Sequence, residues 1–198
     1  MKNNLSSVCA RAGLAVLMAV LPATFAAAST GGDSEKSMTS AHESFLKGDM
    51  QKASASIGKA ADSVKRESGK VTASAKAGVI KAGDDLAAFG KKVKTGAVKS
   101  DEEVKKQFAR ADNAVAKAWH ATAAESMKAG QDAGAALKKA GESVSDAAKW
   151  SGTQLKKGTQ ASVNAVKTVG SGVKAGGKEM AGWFRGIGDG IKDVAGKL

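Results

Sequence analysis

Bulky apolar residues recur in this chain at spacings of seven and eleven. Ile57, Val64 and Val71 are seven apart, as are Val79, Leu86 and Val93, and Val166, Val173 and Met180. Val93, Val104 and Val115 are eleven apart, and so are Val144, Leu155 and Val166. Seven residues make about two helical turns and eleven about three, so each series marks one face of a helix. No segment alternates apolar and polar residues with a period of two, and no Asn-Gly or Asp-Gly pair joins two apolar runs. The single proline is Pro22, so no later residue interrupts a helix by lacking its N–H donor. The pattern predicts an all-α fold: an antiparallel helical bundle of short Ala-rich helices with a C-terminal amphipathic helix.

The seams of such a bundle are thin. Residues 29–198 hold 32 Ala and 23 Gly, and Leu, Ile, Val and Phe make up only about 15% of them. Between the bulky positions each face carries Ala, Gly, Ser or Thr. At ~25 cal/mol per Å2 of apolar surface, an Ala-lined seam contributes much less than a Leu seam. Marginal stability is expected, with a partner or surface adding to it.

The first thirty residues read as an address. Lys2 and Arg11 form a basic region, Ala12 to Leu21 is an apolar run, and Pro22 ends it. Ala26, Ala27 and Ala28 then supply small residues for cleavage before Ser29. This is the layout of a signal peptide over 1–28. The apolar run is about ten residues, short of the ~20 that span a bilayer. The one cysteine, Cys9, lies inside this segment, so residues 29–198 hold none. A Cys-free chain suits an oxidising compartment. Export to a periplasm or the outside is expected, with peripheral attachment to a membrane as one outcome.

Helix boundaries follow from glycine and from caps. A first helix is expected over about 34–47, closed by Gly48 in the left-handed conformation that ends helices. A second runs over about 50–68 and a third over about 71–98. Ser100-Asp101-Glu102-Glu103 is the clearest start signal: Ser100 caps, Glu103 completes an S-x-x-E box, and three acids favour the positive helix end. That fourth helix runs to about Ala129, Gly130 turns the chain, and a fifth carries Leu137, Ala140, Val144 and Ala148 inward.

Two of these hairpins echo each other. Glu43-Ser44-Phe45-Leu46-Lys47-Gly48-Asp49 resembles Glu125-Ser126-Met127-Lys128-Ala129-Gly130-Gln131-Asp132, and the stretch from Ile57 to Val64 resembles Leu137 to Val144. Hairpin-like repeats around 41–68 and 120–150 therefore build one helical bundle over 29–150. With Phe45, Gly48, Ala53 and Ala60 at fixed offsets around the turn, each copy resembles a tetratricopeptide-type hairpin over about 25 residues. The tandem 34-residue period, the Tyr and the Pro of that family are missing, so a peptide groove is not implied.

From Ser151 the composition shifts. Gly152, Gly158, Gly170, Gly172, Gly176 and Gly177 make helix there weak and interrupted, and residues 151–198 read as a Gly/Lys-rich flexible segment ending in an amphipathic helix at 178–198. Lys-rich, Pro-free sequence with eleven-residue apolar spacing, over about 52–99 and 151–198, resembles the late-embryogenesis-abundant proteins and the exchangeable apolipoproteins. The resemblance implies amphipathic helices that order on lipid or on drying, and with them a stress-protective role.

The sharpest segment is 178–198. Met180, Trp183, Phe184, Ile187, Ile191, Val194 and Leu198 fall on one helical face, with Arg185, Asp189, Lys192 and Asp193 opposite it. Trp and Phe next to a cation are what interfacial helices use. The seven apolar residues with Arg185 and Lys192 are the candidate membrane- or partner-binding set; docking of the stripe on the chain's own bundle is the competing expectation. Gly182, Gly186 and Gly190 form a row of small residues on its flank.

Charge narrows the partners. Net charge is −2 over 29–50, +7 over 51–99, zero over 100–150 and +5 over 151–198. The basic block could meet a polyanion, but it holds a single aromatic, Phe89, and no nucleic-acid module; nucleic acid is an unfavoured partner. No catalytic constellation stands out. His42 and His120 lie in no nucleophile motif and are expected near one end of the bundle; Gly186 to Gly190 is Gly-rich but follows no strand. No cofactor, metal or small-molecule substrate is expected. The sequence thus points to an exported, non-enzymatic accessory protein that binds hydrophobic or anionic surfaces, membrane or partly unfolded protein. The alternatives are a structural subunit self-associating through the same stripes, with Trp119 and Trp150 in its interfaces, and a basic polyanion binder.

Overall fold

A computed structural model describes residues 32–168 and 177–198. The expected signal peptide and Val173 lie outside the described residues. Among the described residues seven helices follow in order: α1 (Asp33–Leu46), α2 (Met50–Glu67), α3 (Ala73–Lys94), α4 (Asp101–Lys128), α5 (Gly134–Ser151), α6 (Lys157–Thr168) and α7 (Lys178–Ala195). There is no strand among the described residues. The fold is the all-α helical bundle that the apolar spacing predicts.

The turns form where glycine permits them. Gly48 and Gly130 take φ of 76° and 66°, a left-handed conformation that costs a residue without Cβ little. Each closes its helix with the same pair of hydrogen bonds: Gly48 N donates to Phe45 O and Asp49 N to Ser44 O; Gly130 N donates to Met127 O and Gln131 N to Ser126 O. The two hairpins thus share turn geometry as well as sequence. Gly96 ends α3 in the same way, so that helix stops at Lys94 rather than near Val98. Val98 instead packs into the core from the connection. At the start of α4, Ser100 Oγ accepts from Glu103 N at 3.4 Å, and Asp49 caps α2 by accepting from Lys52 N at 2.9 Å.

Each helix packs against its successor, and α4 is the hub, touching α1, α2, α3, α5 and α7. At ~1.5 Å per residue its 28 residues reach about 42 Å. That length lets one helix serve two core regions. The first joins α1 to α4 around Ile57, Val64, Leu86 and Phe108. The second joins the end of α4 to α5, α6 and α7 around Leu137, Val166 and Ile187. The seven- and eleven-residue series supply these cores: Ile57, Val64, Val79, Leu86, Val93, Val104, Val115, Val144 and Val166 are buried, while Val71 and Leu155 are half-buried.

Small residues let the helices close up. A side chain at Gly90 would begin 3.0 Å from Ile57 Cγ2, and one at Gly141 would begin 2.7 Å from Val166 Cγ2. The sparse Val, Leu and Ile residues therefore reach across seams of nearly bare backbone. Among the described residues, α6 and α7 pack on α5 and on each other.

Candidate functional site

The α7 stripe forms as a helix face, and much of it is occupied by the protein itself. Met180, Ile187, Ile191 and Val194 are buried. Trp183, Phe184 and Leu198 are half-buried, whereas Arg185 and Lys192 are exposed. Of the nine candidate residues, the anchors deepest in the stripe face α4, α5 and α6; Trp183 and Phe184 flank them about 100° apart around the helix, and the two exposed cations lie on the Phe184 side. Leu198 is tied back to α4, where Arg110 donates to its carbonyl at 2.9 Å.

The Phe184 side borders a groove of about 580 Å3 between α4 and α7. From α7 come Ala181, Phe184, Arg185, Gly188, Asp189, Ile191 and Lys192; from α4 come Lys117, His120, Ala121 and Met127. The floor is apolar. The rim carries three cations, Lys117, Arg185 and Lys192, and one acid, Asp189, which lies 3.7 Å from Lys192. Sequence reasoning found the α7 half and missed the α4 half. The two halves lie some 64 residues apart along the chain, and nothing local in Lys117, His120 or Met127 announces a partner.

His120 fixes the seam at the bottom of the groove. Its ring stacks on Phe184 with centroids 3.9 Å apart, and its Nε2 lies 3.0 Å from Phe184 O. Because a carbonyl only accepts, Nε2 carries the proton. Burial holds the imidazole below its usual value; the Phe184 carbonyl opposes that, and nearby Lys192 adds to it. The approach is possible because residue 188 is glycine: a Cβ there would stand 3.2 Å from His120 Nε2.

His42 is elsewhere. It pairs with Asp101 at the first turn of α4 and meets the edge of Trp150 at 5.5 Å. His120 lies nineteen residues further along the same helix, about 28 Å away. The two histidines therefore do not share one end of the bundle.

A second polar cluster, unforeseen in the sequence, sits between α1, α4 and α5. Glu35 is buried, accepting from Lys149 Nζ at 2.7 Å and from Trp150 Nε1 at 2.9 Å. Asp112 lies nearby with no hydrogen-bond partner for Oδ2 among the described residues. Burial pushes its carboxyl well above the usual range, and Asp146 and Glu35 push it further. Asp146 is raised to about 7, by burial first and then by Glu35.

Trp150 is buried inside the chain against Phe108, and half-buried Trp119 donates to Glu67 at 3.2 Å. Both indoles thus have partners within one chain. In the basic block, Lys65, Lys70 and Lys81 pair with Asp84, Glu67 and Asp85. Among the described residues no group of three or more His, Cys, Asp or Glu side chains could hold a metal ion, and no helix is long and apolar enough to cross a membrane. Comparison with family models, with curated proteins and with solved structures gives no match.

Proposed function

We propose that this is an exported, non-enzymatic helical accessory protein that binds hydrophobic or anionic surfaces, a membrane face or a partly unfolded protein, through α7. The observation that carries the reading is the composition of the α7 edge. Half-buried Phe184 lines the groove together with exposed Arg185 and Lys192, and Lys117 adds a third cation from α4. An aromatic ring next to a cation suits the boundary between water and hydrocarbon. Export rests on the 1–28 pattern of a basic region, a short apolar run and small residues at the cleavage position.

Energetics separate two depths of contact. Using the accessible edge costs little, because those side chains already meet water. Using the whole stripe requires Met180, Ile187, Ile191 and Val194 to leave the core. At ~1.5–3 kcal/mol for each buried side chain, that costs roughly 6–12 kcal/mol, which the new surface must offset. Contact therefore begins at the edge, and the deeper stripe follows only on a strongly apolar surface. A protective protein of this kind would resemble the apolipoproteins in its last step and a folded bundle before it.

Flotation on vesicles tests the reading. The protein should float with vesicles containing an anionic phospholipid and much less with zwitterionic ones. Arg185→Glu with Lys192→Glu should weaken flotation while leaving the circular-dichroism spectrum unchanged. A protein that stays at the bottom of the gradient with both vesicle types contradicts the membrane reading.

A further inference from the structure

We propose that the α4–α7 groove is a binding site for one single-chain anionic amphiphile, a free fatty-acid carboxylate, with the chain along the apolar floor and the head at Lys117 and Arg185. The inference rests on the reading of α7 as the binding element and names the ligand that its groove accepts.

Shape comes first. At about 580 Å3 the groove falls within the ~300–1,000 Å3 typical of single-ligand sites. Two helices wall it on its long sides. A bilayer face is broad and cannot enter such a slot, whereas one acyl chain can lie along it. A groove of about 420 Å3 between α3 and α4 offers no comparable floor, since Lys81, Asp85, Gln107 and Arg110 intrude on it.

Charge comes second. Asp189 lies against Lys192, while Lys117 and Arg185 form no ion pair among the described residues. These two cations line the groove from different helices, and the anionic head sits between them in the proposed site. A guanidinium offers a carboxylate two parallel hydrogen bonds. The floor itself carries no charge to oppose the chain. His120 spends its Nε2 proton on the Phe184 carbonyl, and its stacked ring presents an apolar face with Phe184. Met127, a flexible and polarisable side chain, suits a floor that must adapt to chain length.

Calorimetric titration of the purified full chain tests this, with laurate, dodecyl phosphate and dodecyl maltoside each kept below its micelle threshold. Laurate should bind saturably at one per chain, and the uncharged maltoside should bind more weakly by roughly 2- to 30-fold, as expected for loss of two exposed charge contacts. Lys117→Glu with Arg185→Glu should cost laurate a similar factor, with an unchanged circular-dichroism spectrum. No saturable laurate binding, equal affinity for the uncharged head, or tighter binding of the phosphate would overturn the assignment. Flotation keeps the two ideas apart. If vesicles carry the protein but laurate does not bind, the groove proposal fails and the surface reading stands. If laurate binds and vesicles do not carry the protein, the membrane reading fails and the groove stands.

Discussion

Ser162 fills the space into which a side chain at Gly186 would have to grow: a methyl group there would stand 2.7 Å from Ser162 Cβ, with Ser162 Oγ closer still. One turn on, a methyl at Gly190 would meet Thr159 at 2.7 Å and Val144 at 2.8 Å. The small-residue row of α7 is thus the line along which α6 and α5 press on it. Gly182, in the same row, has nothing within 4 Å. Gly186→Ala and Gly190→Ala should each destabilise the fold by about 1–3 kcal/mol through overpacking. Gly182→Ala should stabilise it, by up to about 1 kcal/mol, since only helix propensity changes. Urea denaturation of the three variants checks the contrast; equal effects at all three positions would refute it.

The buried carboxyls set a pH dependence. Asp146 titrates at about 7 in the fold against 3.8 for a free carboxyl. The native state therefore holds a proton that the unfolded chain has released. The stability this gives is fully present below about pH 4 and is lost as pH rises towards and through 7. Asp112, raised well above the usual range, acts in the same direction. Asp146→Asn should remove its share, leaving the protein more stable than wild type above pH 7 by on the order of 2–4 kcal/mol. Thermal melts between pH 4 and 8 should show a flatter profile in the variant.

Glu35 is one cause of that shift and also a structural acceptor. Glu35→Gln keeps an oxygen for Trp150 Nε1 but removes the charge facing Asp146 and Asp112. The Asp146 carboxyl should then titrate below 7, as read from its carbon chemical shift. Glu35→Ala leaves a buried indole N–H without its partner and should cost about 1–3 kcal/mol.

Much of the fold was legible because it is local or periodic. The seven- and eleven-residue series marked the buried faces, Gly48 and Gly130 marked turns, and Ser100 marked a cap. The glycines of α7 read as a flank of small residues, but their contacts with Ser162 and Thr159 depend on how α6 crosses α7, which no spacing encodes. The same holds for the site. Phe184, Arg185, Ile191 and Lys192 are visible as part of an amphipathic stripe, whereas Lys117, His120 and Met127 belong to it only because α4 runs beside α7. The cluster of Glu35, Asp112 and Asp146 joins three helices and leaves no trace in local pattern.

His120 should behave opposite to the carboxyls. Burial lowers its folded value below 6.5, so the native state favours the neutral ring. The stability this gives is present above about 6.5 and is lost as pH falls through the folded value. Proton NMR should find His120 titrating below 6.5 with the Nε2–H tautomer. Gly188→Ala, which crowds Nε2 at 3.2 Å, should move that titration towards 6.5 as the ring is displaced into water.

The central claim is that α7 meets its target at the edge formed by Phe184, Arg185 and Lys192. Hydrogen exchange of the full chain, with and without vesicles rich in an anionic phospholipid, tests it most directly. The account predicts that exchange changes in peptides covering 181–192 and in the facing 117–127 stretch of α4, while α2 and α3 stay as they were. Identical exchange across α7 and α4 in the two conditions, or a change confined to α2 and α3, would contradict it.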